Sequence, residues 1–207
     1  MLVQEADGVG LKKGCEGMKR LLFSGLLVLA LALPTVASAE DIEKEVQVTG
    51  GNLLVTQSKL NFADINLAVR QQQKSQAVVT TRVIDDRGNG NGWTISQAAT
   101  DFATTIDGKE FYIPIDAVKV TASLKNTISG IPLDFTHGGH LAKDQVLSHQ
   151  DTPIFSADVS TGQGAYDFEL QYTLSLPQII KAVDGKEIGV VAGTYRSTIT
   201  TTSTSGI

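Results

Sequence analysis

Apolar residues recur at every other position along most of this chain, and turn-forming residues break the pattern at short intervals. "AYDFELQYTLSL" (165–176) puts Tyr166, Phe168, Leu170, Tyr172, Leu174 and Leu176 on one parity. "AVVTTRVID" (77–85), "GWTISQAATDF" (92–102), "EFYIPID" (110–116), "KVTASLKN" (119–126), "IFSADVS" (154–160) and "GTYRSTITTTS" (193–203) read the same way. Successive side chains of a strand point to opposite faces, so a period of two makes one face apolar and one polar. Many such strands, separated by turns, predict an all-β fold, an Ig-like antiparallel β-sandwich. "EVQVTGGNLLVT" (45–56) reads as two strands turning at Gly50-Gly51, and "KLNFADINLAV" (59–69) as one strand with an irregularity near Ala63-Asp64. "QQQKSQ" (71–76) reads as a loop. No stretch keeps an apolar period near that of a helix; only "PQIIKAVDG" (177–185) suits one or two helical turns, opened by Pro177 and closed by Gly185. Without an internal repeat or a linker, residues 40–207 are expected to form a single domain.

The first 39 residues do not belong to that pattern. Met18-Lys19-Arg20 is followed by an apolar run from Leu21 to Leu33 and then by Ala37-Ser38-Ala39. Positive region, apolar core and small-residue site in that order read as a secretory signal peptide, with cleavage expected after Ala39 and Met18 expected as the true start. The apolar run falls short of the roughly 20 residues that span a bilayer. Processing takes Lys12, Lys13, Lys19 and Arg20, and Glu5, Asp7 and Glu16, from totals of 17 basic and 22 acidic residues, leaving 13 and 19 and a net charge of −6. Nucleic-acid binding needs clustered Lys and Arg against phosphate, so that class is excluded. Cys15 is the only cysteine and leaves with the leader. The mature chain therefore has no disulfide, no thiol nucleophile and no lipid-attachment cysteine, and its 168 residues must be held by their core. "TYRSTITTTSTSGI" at the C-terminus has no apolar tail and no sorting motif. The expectation is a secreted, extracellular protein whose mature chain does not insert into a membrane.

The stretch "DDRGNGNGWTISQ" (85–97) sets three glycines and two asparagines before the only tryptophan of the chain. Three readings stand. As a calcium loop, Asp85, Asn89 and Gly90 match the first, fifth and sixth places, but Arg87 puts a cation at the third and Ser96 replaces the late acidic ligand. As a hairpin, Gly88 to Gly92 supply a tight turn between "TTRVIDD" and "WTISQ". Trp93, Ile95 and Gln97 then share one strand face, with Thr94 and Ser96 on the other, and Trp93 anchors a core. As a recognition site, the indole borders a groove and stacks on a sugar or meets a partner surface.

Asp86-Arg87-Gly88-x-Gly90-x-Gly92-Trp93-Thr94-Ile95 resembles the first motif of the WxL domain, a surface module of Gram-positive bacteria. Ala192-Gly193-Thr194-Tyr195-x-Ser197-Thr198-Ile199-Thr200 resembles that family's C-terminal strand, and "GQGAYDFELQYTLSLP" (162–177) the strand before it. The chain departs from the pattern at Ile95, where the family has leucine, and at Thr201 and Ser203, where the second tryptophan and leucine are lost. The resemblance implies a cell-wall-associated binding module that attaches non-covalently to peptidoglycan or to other cell-surface proteins. It makes Trp93, Thr94, Ile95, Arg87 and Tyr195 the candidate binding residues.

Other constellations carry less. His137, His140 and His149 all fall in "HGGHLAKDQVLSH" (137–149), where His137 and His140 flank Gly138-Gly139; a zinc ion needs imidazoles fixed by regular elements, and a solvated loop is the simpler reading. There is no Gly-x-Ser-x-Gly motif and no phosphate loop, so no catalytic residue, metal or cofactor is expected. The Thr-rich C-terminal strand either pairs within its own domain or offers an open edge to another chain. Behind the non-catalytic wall or surface module stand two alternatives: a self-assembling subunit of a surface fibre or matrix, and a cell-wall hydrolase.

Overall fold

A computed structural model describes residues 46–68 and 71–206, so the expected signal peptide and cleavage site lie outside the described residues. Among the described residues, thirteen strands are connected by irregular segments and one short 3-10 turn at Ile115–Ala117. They are β1 (Leu53–Gln57), β2 (Gln73–Asp85), β3 (Trp93–Ala99), β4 (Phe102–Ile106), β5 (Lys109–Ile113), β6 (Val118–Gly130) and β7 (His140–Leu141). After these come β8 (Gln145–Val146), β9 (Thr152–Ala157), β10 (Gly164–Leu176), β11 (Ile179–Ala182), β12 (Glu187–Gly189) and β13 (Ile199–Ser205). The chain is all-β, and its strands form three antiparallel sheets with orders β1-β2-β10-β6-β8, β12-β11-β5-β4 and β13-β3-β9-β7. No helix of the described residues is long and apolar enough to cross a membrane.

The alternating pattern decides which side chains go inside. In β10, Tyr166, Phe168, Leu170, Tyr172, Leu174 and Leu176 are all buried, while Gln171 faces solvent. Facing them across the pairs are Ala77, Val79 and Val83 of β2 and Val118, Val120 and Ala122 of β6. Trp93 and Ile95 of β3 and Ile154 and Phe155 of β9 close over this layer, so two of the sheets share one apolar cluster, which extends to Phe102, Phe111 and Ile113 of the third. On the outer face Arg82 and Asp167, opposite each other in the β2–β10 register, form a two-toothed ion pair at 2.8 and 3.0 Å.

Several expected elements are absent or different. The Gly/Asn stretch is no hairpin, because β2 and β3 belong to different sheets and residues 86–92 carry the chain from one to the other. Among the described residues the segment before Gly50-Gly51 has no strand partner; only β1 after it joins a ladder. Residues 58–68 form no strand: Leu60, Phe62 and Ile65 are half-buried plugs against the core, and Val69 lies outside the described residues. Part of "QQQKSQ" is strand, since β2 starts at Gln73 and buries Ser75 beneath the carbonyl of Ala63, which accepts its hydroxyl at 2.7 Å. The expected helical turns at 177–185 are instead β11 and a tight turn, Gly185 N–H donating to Ala182 O at 2.9 Å. Two adjacent β-branched residues suit a pleat better than a helix. Ile180 accordingly points inward between exposed Ile179 and Lys181.

Candidate functional site

The tryptophan that carries the family resemblance is enclosed. Trp93 has no solvent exposure. Its ring meets Phe155 and Phe168 edge-on, with centroids at 6.1 and 6.0 Å, and Tyr166 at a tilt at 6.4 Å. Phe155 and Phe168 stack on each other at 4.1 Å. The indole N–H donates to the carbonyl of Gly162 at 3.0 Å, so its one polar atom is satisfied inside the protein. Gly162 has φ +80°, and a Cβ there would stand 2.6 Å from the indole nitrogen, so only glycine lets the loop close over the ring. Of the three readings for Trp93, the core anchor is the one this geometry matches; an indole with no exposed surface has no face for a sugar. Ile95 is equally buried.

The loop ahead of Trp93 is held by a clamp. Arg87 Nε and a terminal nitrogen donate to the two oxygens of Asp85 at 2.8 and 2.9 Å, and its backbone N–H to Asp85 Oδ1 at 3.1 Å. The same guanidinium donates to Gly92 O at 2.7 Å and to the hydroxyl of Ser205 at the end of β13. Burial pushes the Asp85 carboxyl up, but the side-chain, backbone and charge interactions with Arg87 together hold it below its ordinary value. The carboxylate that would have opened a calcium loop is thus committed to an arginine. Gly92, at φ +67°, lies so close to the β9 backbone that a Cβ would sit 2.4 Å from Ala157 O. Arg87 is therefore a strut that fixes the crossing between sheets.

The remaining candidates lie apart. Thr94 is half-buried on the outer face of β3, its carbonyl accepting the Thr204 hydroxyl at 3.4 Å. Tyr195 lies beyond the Ala99 end of β3, far along the strand from Trp93, with its hydroxyl donating to Val191 O at 3.0 Å. The five residues do not converge on one surface. His137 Nδ1 sits 2.8 Å from Asp134 Oδ2, and His149 Nε2 3.3 Å from Asp101 Oδ1, so these two rings face separate carboxylates. The Thr136 hydroxyl first, and then His137, hold Asp134 down at about 2. No group of three or more metal-capable side chains forms among the described residues.

The structure does bring the two motif-bearing segments together. β13 pairs along the whole of β3, with Thr201 opposite Gln97, Ser203 opposite Ile95 and Ser205 opposite Trp93. Gln97 is fully buried and joins a polar ring: Tyr172 O–H donates to Gln97 Oε1 at 2.9 Å, Gln97 Nε2 to Thr201 Oγ1 at 3.3 Å, and the Thr201 hydroxyl to Gln57 Oε1 at 3.2 Å. Gln57 Nε2 closes the ring on the Tyr172 hydroxyl at 3.4 Å. This ring ties β1 and β10 of one sheet to β3 and β13 of another. Its sequence signal is a glutamine on the same parity as Trp93 and Ile95.

Among the described strands β13 is also the edge of its sheet. Thr100 N–H donates to Thr198 O at 3.0 Å, and Gly206 N–H to Gly92 O at 3.2 Å. Bonded pairs alternate along an antiparallel ladder. The register between those two bonds therefore points the amides and carbonyls of Thr200, Thr202 and Thr204 at β3, and turns those of Ile199, Thr201, Ser203 and Ser205 outward. Proteins usually blunt such an edge with lysine, proline or brevity. "ITTTSTS" has no charge, no proline and seven residues. Among the described strands the other edges are shorter: β1 has five residues, β12 three, and β7 and β8 two each. β4 is capped by a two-way bond between Ala103 and Arg196, each 2.9 Å. Comparison with protein-family models, curated proteins and solved structures gives no significant match for this chain.

Proposed function

We propose that this protein is an exported, non-catalytic surface module, an Ig-like β-sandwich of WxL-like type, that binds other cell-surface proteins by adding one of their strands to β13. The observation that carries this reading is the long, uncharged, unpaired edge of β13, whose outward amides and carbonyls match a main-chain partner of almost any sequence. The leader-like residues 18–39 support export. The direct pairing of the two segments that resemble WxL motifs supports the family reading. Peptidoglycan is the weaker ligand here, because the aromatic that would stack on sugar is enclosed.

Sedimentation with Gram-positive cell envelopes tests the reading. The processed chain, residues 40–207, should pellet with intact envelopes and stay in solution with sacculi stripped of protein. Ser203→Pro removes one outward N–H that the protein's own sheet does not use, so it should keep the fold and lose retention. Equal retention on stripped sacculi would move the ligand to wall polymer, and no retention on either would remove the surface-binding role.

A further inference from the structure

We infer that β13 of one copy takes up the Val46–Thr49 segment of a second copy, so that the processed chain assembles head to tail. The inference rests on reading β13 as a docking edge and names its occupant. Val46 and Val48 are 82% and 88% exposed, the most exposed large apolar side chains among the described residues. They sit at alternate positions in "VQVT", with β-branched residues at three of the four places. The segment has the composition and period of a strand and has no ladder partner among the described residues.

Its point of departure is fixed. Gly51 N–H donates to Asp86 O at 2.7 Å and Asp86 N–H to Asn52 O at 3.1 Å, beside the Arg87 clamp that also holds Ser205. β1 runs from there along β2, and the arm precedes it in the chain. Four extended residues reach about 13 Å, enough to cover half of β13. The receiving site has an apolar lining as well as a backbone edge. The Thr201–Gln57 bond joins β13 to β1, the edge strand of another sheet, and Leu53 and Val55 of β1 and Ile199 of β13 are half-buried against the core. Two valines on one face of an added strand would cover them. Arm and edge are different surfaces of one chain, so the contact is heterologous and leads to an open filament unless a ring closes.

The test needs only the purified processed chain in sedimentation-velocity runs over a concentration series. Wild type should show a weight-average mass that climbs with concentration. Val48→Asp (disabled arm) and Ser203→Pro (disabled edge) should each remain monomeric with a native circular-dichroism spectrum. Mixed in equal amounts they should give a one-to-one dimer, since one contributes an intact edge and the other an intact arm. Val46→Asp serves as a second arm variant should Val48→Asp misfold. A wild type that stays monomeric at every concentration overturns the proposal, as does polymer formed equally well by Val48→Asp and Val46→Asp, or a mixture that never dimerises. A monomer whose Val48 amide is protected from hydrogen exchange also overturns it, because the arm would then pair with its own β13. No envelope is present, so failure here leaves envelope retention standing, and failed retention with normal assembly removes only the wall-surface role.

Discussion

Trp93 shows how one side chain can look like a ligand platform in sequence and be a keystone in the fold. Its ring is covered by Phe155, Tyr166 and Phe168, and its nitrogen is held by a carbonyl 69 residues away. Removing a buried ring of this size costs about 3–5 kcal/mol, from lost burial plus the cavity left behind. Trp93→Ala should therefore lower the urea midpoint by that equivalent, and a variant of unchanged stability would contradict the enclosed ring. What sequence supplied was the parity: Trp93, Ile95 and Gln97 on one face. What it withheld was the cover, because the approach of Gly162 depends on a loop remote in the chain. The inward face of Gln97 followed from the same parity, but its partners Tyr172 and Thr201, and Gln57 that closes the ring on both, come from three other strands.

At the level of elements, alternation identified faces well and neighbours poorly. β10 was legible because Tyr166, Phe168, Leu170, Tyr172, Leu174 and Leu176 keep one parity, whereas β2 was legible only from Ala77 onward, its first positions being polar. The Gly88–Gly92 stretch read as a turn, and glycine and asparagine serve a hairpin and a crossing between sheets equally well. The deciding residue was Arg87, whose bonds to Asp85, Gly92 and Ser205 hold the crossing open. Arg87→Ala would leave the Asp85 carboxylate buried without its cation, a loss of about 3–5 kcal/mol for a buried pair. The same substitution should loosen the end of β13, so hydrogen exchange at Gly206 ought to accelerate beyond the global effect. Slower or unchanged exchange there would show that the clamp does not reach β13. The segments 58–68 and 177–185 were misread for a related reason. Plugging a core and joining a ladder both select spaced apolar residues, and only the surrounding strands decide between them.

Across the whole molecule, stability depends on a core without cross-links and on a few carboxylates held below their ordinary value of 3.8. Burial opposes ionisation of Asp85 but Arg87 outweighs it, and Asp167 is lowered chiefly by its hydrogen bonds from Arg82. A carboxyl lowered in the folded state adds stability that is complete above its unfolded pKa and disappears as pH falls through the folded one. The urea midpoint should accordingly be level near neutrality and decline from about pH 4 downward. A decline that began well above pH 5 would point to other groups. The enclosed indole has a practical consequence for all these measurements. As the sole tryptophan, hydrogen-bonded to a carbonyl and dry, it should emit at short wavelength until the core opens, and then shift red. Because its ring faces the core from β3 rather than the open edge of β13, its fluorescence is a native gauge of unfolding that stays silent when the edge is occupied.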